Sequence, residues 1–218
     1  MQVEFFNPGV VGNIFYDTNG QDFLIKGIET SFVARVMKGL TVQGAADWNK
    51  SSQTNSPALI DNNPADTGNF GKPITQVCGT GTCVQVTNPF GPIGAPSANS
   101  PPMQFSLRAR YDWLAGEYVP YVQVGVRHTA HSFSQAGANP EIGVGGSITT
   151  SRGRFENPAY STVDASIGVS RGDWRVDLHG ENLTNSNAST FTSTDQFIIE
   201  QTPLRPRVIG VSFGYNFE

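Results

Sequence analysis

The chain has 218 residues, a formal net charge of −4, and only 15% Asp, Glu, Lys and Arg, against roughly 25% in soluble domains. Two cysteines are too few for a disulfide scaffold, 11% aromatics are too many for a disordered chain, and the acidic balance lacks the basic face of a nucleic-acid binder. No apolar run nears the ~18 residues of a membrane helix. A β-rich domain or a membrane β-barrel remains.

Residues 1–6 show no basic segment followed by an apolar one, so they read as strand interior, as expected of a chain excised from a longer one. Strict period-2 alternation then recurs, and in an extended strand that places alternate residues on opposite faces. Residues 21–36 alternate loosely. Leu40, Val42, Gly44, Ala46 and Trp48 interleave with Thr41, Gln43, Ala45, Asp47 and Asn49. Met103, Phe105, Leu107, Ala109, Tyr111 and Trp113 interleave with Gln104, Ser106, Arg108, Arg110 and Asp112, which separates a wholly apolar face from a wholly polar one. Residues 120–127, 162–169, 174–179 and 209–217 repeat the pattern. With residues 1–6, eight strands are expected.

The connections alternate in length. Met37-Lys38-Gly39, Ala115-Gly116-Glu117 and Arg171-Gly172 leave room only for tight turns, whereas 7–20, 51–102, 132–158 and 185–204 are long. In a meander this collects the short turns at one end of the sheet and the long loops at the other, the asymmetry of transmembrane barrels. The longest loop holds three charges (Asp61, Asp66, Lys72) and both cysteines, Cys78 and Cys83. Strands of this length match the ~9–11 tilted residues that cross a hydrocarbon core. Aromatics near strand ends (Trp48, Tyr111, Trp113, Tyr118, Tyr121, Tyr160, Trp174, Tyr215, Phe217) suit interfacial girdles. A soluble β-sandwich is the competing architecture, its apolar faces packed on each other.

Three stretches carry a family resemblance. FLIKGIETSFVARVMKGLTVQGAADW (23–48), YSTVDASIGV (160–169) followed by DWRVDLHGENLTN (173–185), and the closing RPRVIGVSFGYNF (205–217) resemble late barrel strands of TonB-dependent outer-membrane receptors. The chain departs from the family pattern in one respect, because Glu218 follows the terminal aromatic Phe217.

The resemblance implies an all-β, antiparallel up-and-down transmembrane barrel, with residues 1–218 as the C-terminal part of a larger barrel and no plug domain. It implies a bacterial outer-membrane location and TonB-energised uptake of a scarce nutrient, a ferric siderophore foremost. The implied partners are outer-membrane lipid, a plug domain, the TonB complex and the barrel assembly machinery, the last reading Phe213, Tyr215 and Phe217. Arg108, Arg110, Arg127, Asp112, Asp164, Arg175, Asp177 and Glu181 would face the lumen, where mixed charge could hold a plug or pass an anionic ligand. Phe70, Phe90, Phe133 and Phe191 are loop candidates for ligand contact. At an oxidising cell surface, Cys78 and Cys83 would form a disulfide across four residues.

His128, His131 and His179 lack the partners and spacing of a metal site, and no cofactor, nucleic acid or catalytic constellation is expected. A stand-alone small barrel, serving as a pore or adhesion protein, and a soluble sandwich binding module are the alternatives.

Overall fold

The computed structural model describes residues 2–9, 12–57, 64–65, 67–73, 76–79, 82–85, 91–135, 139–142, 148–152, 154–195 and 198–217. All of its regular elements are strands, and no helix among the described residues is long and apolar enough to cross a membrane. β1 (Gln2–Gly9) and β2 (Gly12–Asn19) pair as a separate hairpin, and β3 (Asp22–Met37) and β4 (Leu40–Asn55) form a long one. β5 (Gln76–Gly79) and β6 (Thr82–Gln85) make a small hairpin before β7 (Met103–Asp112) and β8 (Val119–Thr129). Then come β9 (Ser132–Phe133), β10 (Asn139–Ile142), β11 (Ile148–Arg152) and β12 (Glu156–Asn157). β13 (Tyr160–Arg171) and β14 (Trp174–Glu181) are followed by the hairpin of β15 (Ser189–Asp195) and β16 (Ile198–Pro203), and by β17 (Val208–Tyr215).

Seven of these strands form one antiparallel sheet in the order β17-β14-β13-β8-β7-β4-β3. This is a meander of the long strands, with the intervening short strands set aside as loop hairpins. The sheet is open, its edges being β3 and β17. Residues 1–6 are expected as an eighth strand of the same sheet; residues 2–6 do lie in a strand, but among the described residues that strand pairs only with β2. The long connections, expected as irregular loops, contain β2, β5–β6, β10–β11 and β15–β16. Their Thr-, Ser- and Val-containing stretches find strand partners locally, within each loop.

All three tight turns lie at one end. Lys38 and Gly39 join β3 to β4, Ala115 bridges Tyr118 between β7 and β8, and Gly172-Asp173 joins β13 to β14. Gly39 holds φ +85° with its carbonyl accepting from Asp112 N–H at 2.9 Å, a conformation glycine reaches without steric cost.

Register keeps parity across the sheet. Ala34, Val42, Ala109 and Val124 lie in line on one face, as do Thr41, Arg110, Gln123 and Ser166 on the other. Among the described residues no second layer covers the apolar face: Ile28 is 68% exposed and Val211 and Phe213 are each 71% exposed. Only Ala95 and Tyr121 are buried apolar side chains among the described residues. A soluble sandwich would bury such a face, since soluble monomers rarely expose apolar patches beyond about 300–600 Å². From Leu40 to Trp48 the outward residues are uncharged, over the length a tilted strand needs to cross a bilayer.

Candidate functional site

The opposite face gathers the charged side chains in rows across the strands. Nearest the turns, Val119, Ser170, Arg175 and Gly214 are in register, and the next row is Asp112, Tyr121, Gly168, Asp177 and Ser212. One step up come Arg35, Thr41, Arg110, Gln123, Ser166, His179 and Gly210, then Gln43, Arg108, Gly125 and Asp164. Arg127 stands between Ser106 and Thr162 in the next row. Glu181 continues the face on β14 by parity with Asp177 and His179.

Tyr121 is the centre of the lower rows and is 3% exposed. Its ring leans over Gly168, where a Cβ would overlap it and lie 2.8 Å from Asp177 Cβ. The Arg110 guanidinium lies 3.8 Å from the ring centroid, and Arg175 Nη2 donates to the phenol oxygen at 2.8 Å. Each arginine also holds a carboxylate. Arg110 binds Asp112 through Nε and Nη2 (3.0 and 2.8 Å), and Arg175 Nε lies 3.1 Å from Asp177 Oδ1. His179 Nδ1 is 3.5 Å from the other Asp177 oxygen. Half-exposed pairs of this kind contribute about 0–1 kcal/mol each; the arginine–ring contacts, whose guanidinium groups are also part-exposed, contribute about 0.5–1 kcal/mol. The arrangement is a rigid polar floor near the turns.

Higher up, Arg108 and Arg127 have no ion-pair partner among the described residues and line a shallow groove with Gln43, Ser106 and Asp164. Asp164 is already engaged, accepting Asn182 N–H at 2.8 Å. Glu181 reaches Arg205 at 3.6 Å. This stretch of the groove, two arginines against Asp164, is net positive and able to receive an acidic group or an anion, whereas the adjoining stretch that Arg127 shares with Glu29 and Asp47 is not.

The loop end of the sheet is held by buried amides that composition and alternation do not reveal. Asn182 is 6% exposed; its Nδ2 donates to the Ser186 and Arg205 carbonyls at 2.8 and 2.9 Å. Its Oδ1 accepts from Thr184 Oγ1 and Ser186 N, both at 3.0 Å. Leu183 N–H reaches Val163 O at 2.7 Å, and its side chain covers Gly180. Gln53, 1% exposed, donates to Gly91 O at 3.0 Å and ties the long loop to β4.

Of the loop aromatics, Phe70 is 57% exposed and Phe191 44% exposed, while Phe133 lies beneath the Arg154 guanidinium at 3.8 Å. Phe90 lies outside the described residues. Register sets Cys78 directly opposite Cys83 in the β5–β6 hairpin. Phe213 and Tyr215 lie on the edge strand β17, and Phe217 just beyond it packs edge-on against Tyr215 with centroids 4.9 Å apart. Two expected girdle aromatics face the other way: Tyr121 and Tyr160 share the polar face with Thr129 and Thr162, because their positions have the parity of the polar residues. Tyr118, Trp174 and Tyr215 do stand together at the turn end, where Tyr118 and Trp174 meet edge-on at 6.1 Å.

A family model described as TonB dependent receptor-like, beta-barrel, matches residues 2–183. The fold is similar to the crystal structure of the ferric yersiniabactin uptake receptor FyuA from Yersinia pestis, with TM-score 0.61 and 12% identity over 93% of this chain. The match covers 25% of that receptor, so the chain spans about a quarter of its length. No curated protein matches the sequence.

Proposed function

The chain belongs to the TonB-dependent receptor β-barrel family, and from that premise we propose that it is the C-terminal part of an outer-membrane barrel importing a ferric siderophore. The family is one of receptors and transporters rather than enzymes. The carrying observation is the two-faced open sheet: an uncharged outward face of bilayer length, backed by a face of arginines and carboxylates, with both edges unpaired among the described residues and able to continue a wider wall. Seven strands with unpaired edges suit a segment of a large plugged barrel, the size class of about 22 strands, better than a small closed pore.

In this reading the turns are periplasmic and the long loops extracellular. Arg108 and Arg127 meet acidic groups of a plug domain, and the plug in turn contacts the TonB complex. Phe70, Phe90, Phe133 and Phe191 stand where an arriving ligand is met, and Cys78–Cys83 closes the tip of the longest loop. The edge strand ending in Phe213, Tyr215 and Phe217 is what the assembly machinery engages. The similarity to a siderophore receptor favours iron among the nutrients. The test is growth of an iron-starved strain whose only siderophore receptor is the full-length protein, fed a panel of ferric siderophores. Rescue by at least one, lost when TonB is deleted, is expected. Failure of all of them, with uptake of a non-iron nutrient instead, would overturn the siderophore assignment.

A further inference from the structure

Where the outward face leaves its uncharged band, two cations stand side by side. Register sets Lys26 of β3 directly opposite Lys50 of β4, one step beyond the Ile28–Trp48 pair on that face. Directly opposed side chains on antiparallel strands have Cβ atoms about 4.5–5.5 Å apart, and like charges there repel. Both lysines are exposed, and neither has an ion-pair partner among the described residues. The nearby acids do not neutralise them. Glu29 and Asp47 oppose each other on the polar face, and Asp22 accepts from Asn55 Nδ2 at 3.2 Å.

The turn end of the same face is handled differently. Arg171 there is paired with Glu117 and lies over the Tyr118 ring. The outward face thus carries a neutralised pair at one boundary and an uncompensated cation pair at the other.

We infer that Lys26 and Lys50 together clamp a phosphorylated headgroup of the outer-leaflet lipid. The inference rests on the outer-membrane reading above. Two ammonium groups at one level bridge a phosphate that would otherwise leave them repelling, and a basic residue near an anionic membrane surface contributes about 1 kcal/mol. Trp48 and Ile28, immediately below, supply the apolar contact for the acyl chains beneath that headgroup. The indole suits this boundary position, being apolar in body and polar at one edge.

The test uses the full-length receptor, purified in a non-ionic detergent and titrated with bis-phosphorylated lipid A or its dephosphorylated counterpart, with bound lipid counted by native mass spectrometry. Wild type should retain the phosphorylated glycolipid. The K26S/K50S variant should retain it about 30-fold more weakly, the product of roughly fivefold per lysine, and K26R/K50R should restore retention. Lys38→Ser, at the turn end, should match wild type. Unchanged retention by K26S/K50S, or equal retention of the dephosphorylated glycolipid, overturns the clamp and leaves the membrane reading standing. Absence of wild-type receptor from the outer-membrane fraction overturns the membrane reading itself, and the clamp with it.

Discussion

The Tyr121 ring crosses strand β13 at Gly168 and fills the space that a side chain there would occupy. The missing Cβ lets the ring lie flat on the sheet, where Arg110 covers it and Arg175 binds its hydroxyl. Replacing Gly168 by Ala forces the ring or Asp177 to move, which should cost about 1–3 kcal/mol as overpacking does. In the full-length receptor the heat-modifiable unfolding transition should fall accordingly. Tyr121→Phe keeps the ring on the glycine and removes one hydrogen bond from a half-exposed guanidinium, up to about 1.5 kcal/mol, so its transition should fall too. Equal transitions for Gly168→Ala and wild type would show that the ring is not seated on the glycine.

The buried amide of Asn182 gathers Thr184, Ser186 and Arg205 into one turn. Asn182→Ala strands several of these groups, at about 1–3 kcal/mol for each one left buried and unpaired. Proteases added to intact cells should then cut within residues 183–190, where the wild type resists. Asn182→Asp keeps the two accepted bonds and loses the donated ones, so its cleavage should be intermediate.

Val124 lies mid-sheet on the outward face between Ala109 and Ala165, whereas its neighbour Gln123 lies on the polar face between Arg110 and Ser166. In the outer-membrane reading a lysine at 124 would face hydrocarbon and should cost about 2–4 kcal/mol near the midplane. Gln123→Lys should be tolerated. Immunoblots of the outer-membrane fraction should show depletion of Val124→Lys alone. Similar levels for both variants would refute the assignment of faces.

Opposed in the β5–β6 hairpin, Cys78 and Cys83 are placed for a disulfide. Denatured receptor from oxidising cultures should take up no maleimide at these positions until reduced, then two. Two labels before reduction would show free thiols.

The alternation of residues 40–49 and 103–113 was enough to assign both faces of β4 and β7, because a strand's pleat ties side to parity whatever its neighbours are. Turn positions were legible for the same local reason: Lys38-Gly39 and Gly172-Asp173 leave no other path for the chain. That the charges from Arg108 to Glu181 share one face of the sheet is legible from parity as well. Tyr121 and Tyr160 lie near strand ends, as girdle residues do, but parity puts both on the polar face. The buried Asn182 and Gln53 were not legible as anchors, since their partners lie in loops without periodicity. The short hairpins inside those loops escaped for the same reason.

By itself the sequence determined the strands, their two faces and the end at which the chain turns, all properties set within a few residues. The meander order of the long strands follows from that reading. Only the tertiary structure decided their register and the short hairpins set between them, so that β4 passes over β5 and β6 to reach β7, β8 passes over four strands to reach β13, and β14 passes over two to reach β17. Cross-strand register between distant segments then created the pairs no single strand contains. Tyr121 of β8 is seated on Gly168 of β13, and Leu40 of β4 is set against Tyr111 of β7. Such pairs depend on backbone hydrogen bonds that join segments far apart in the chain, and local pattern carries no information about them.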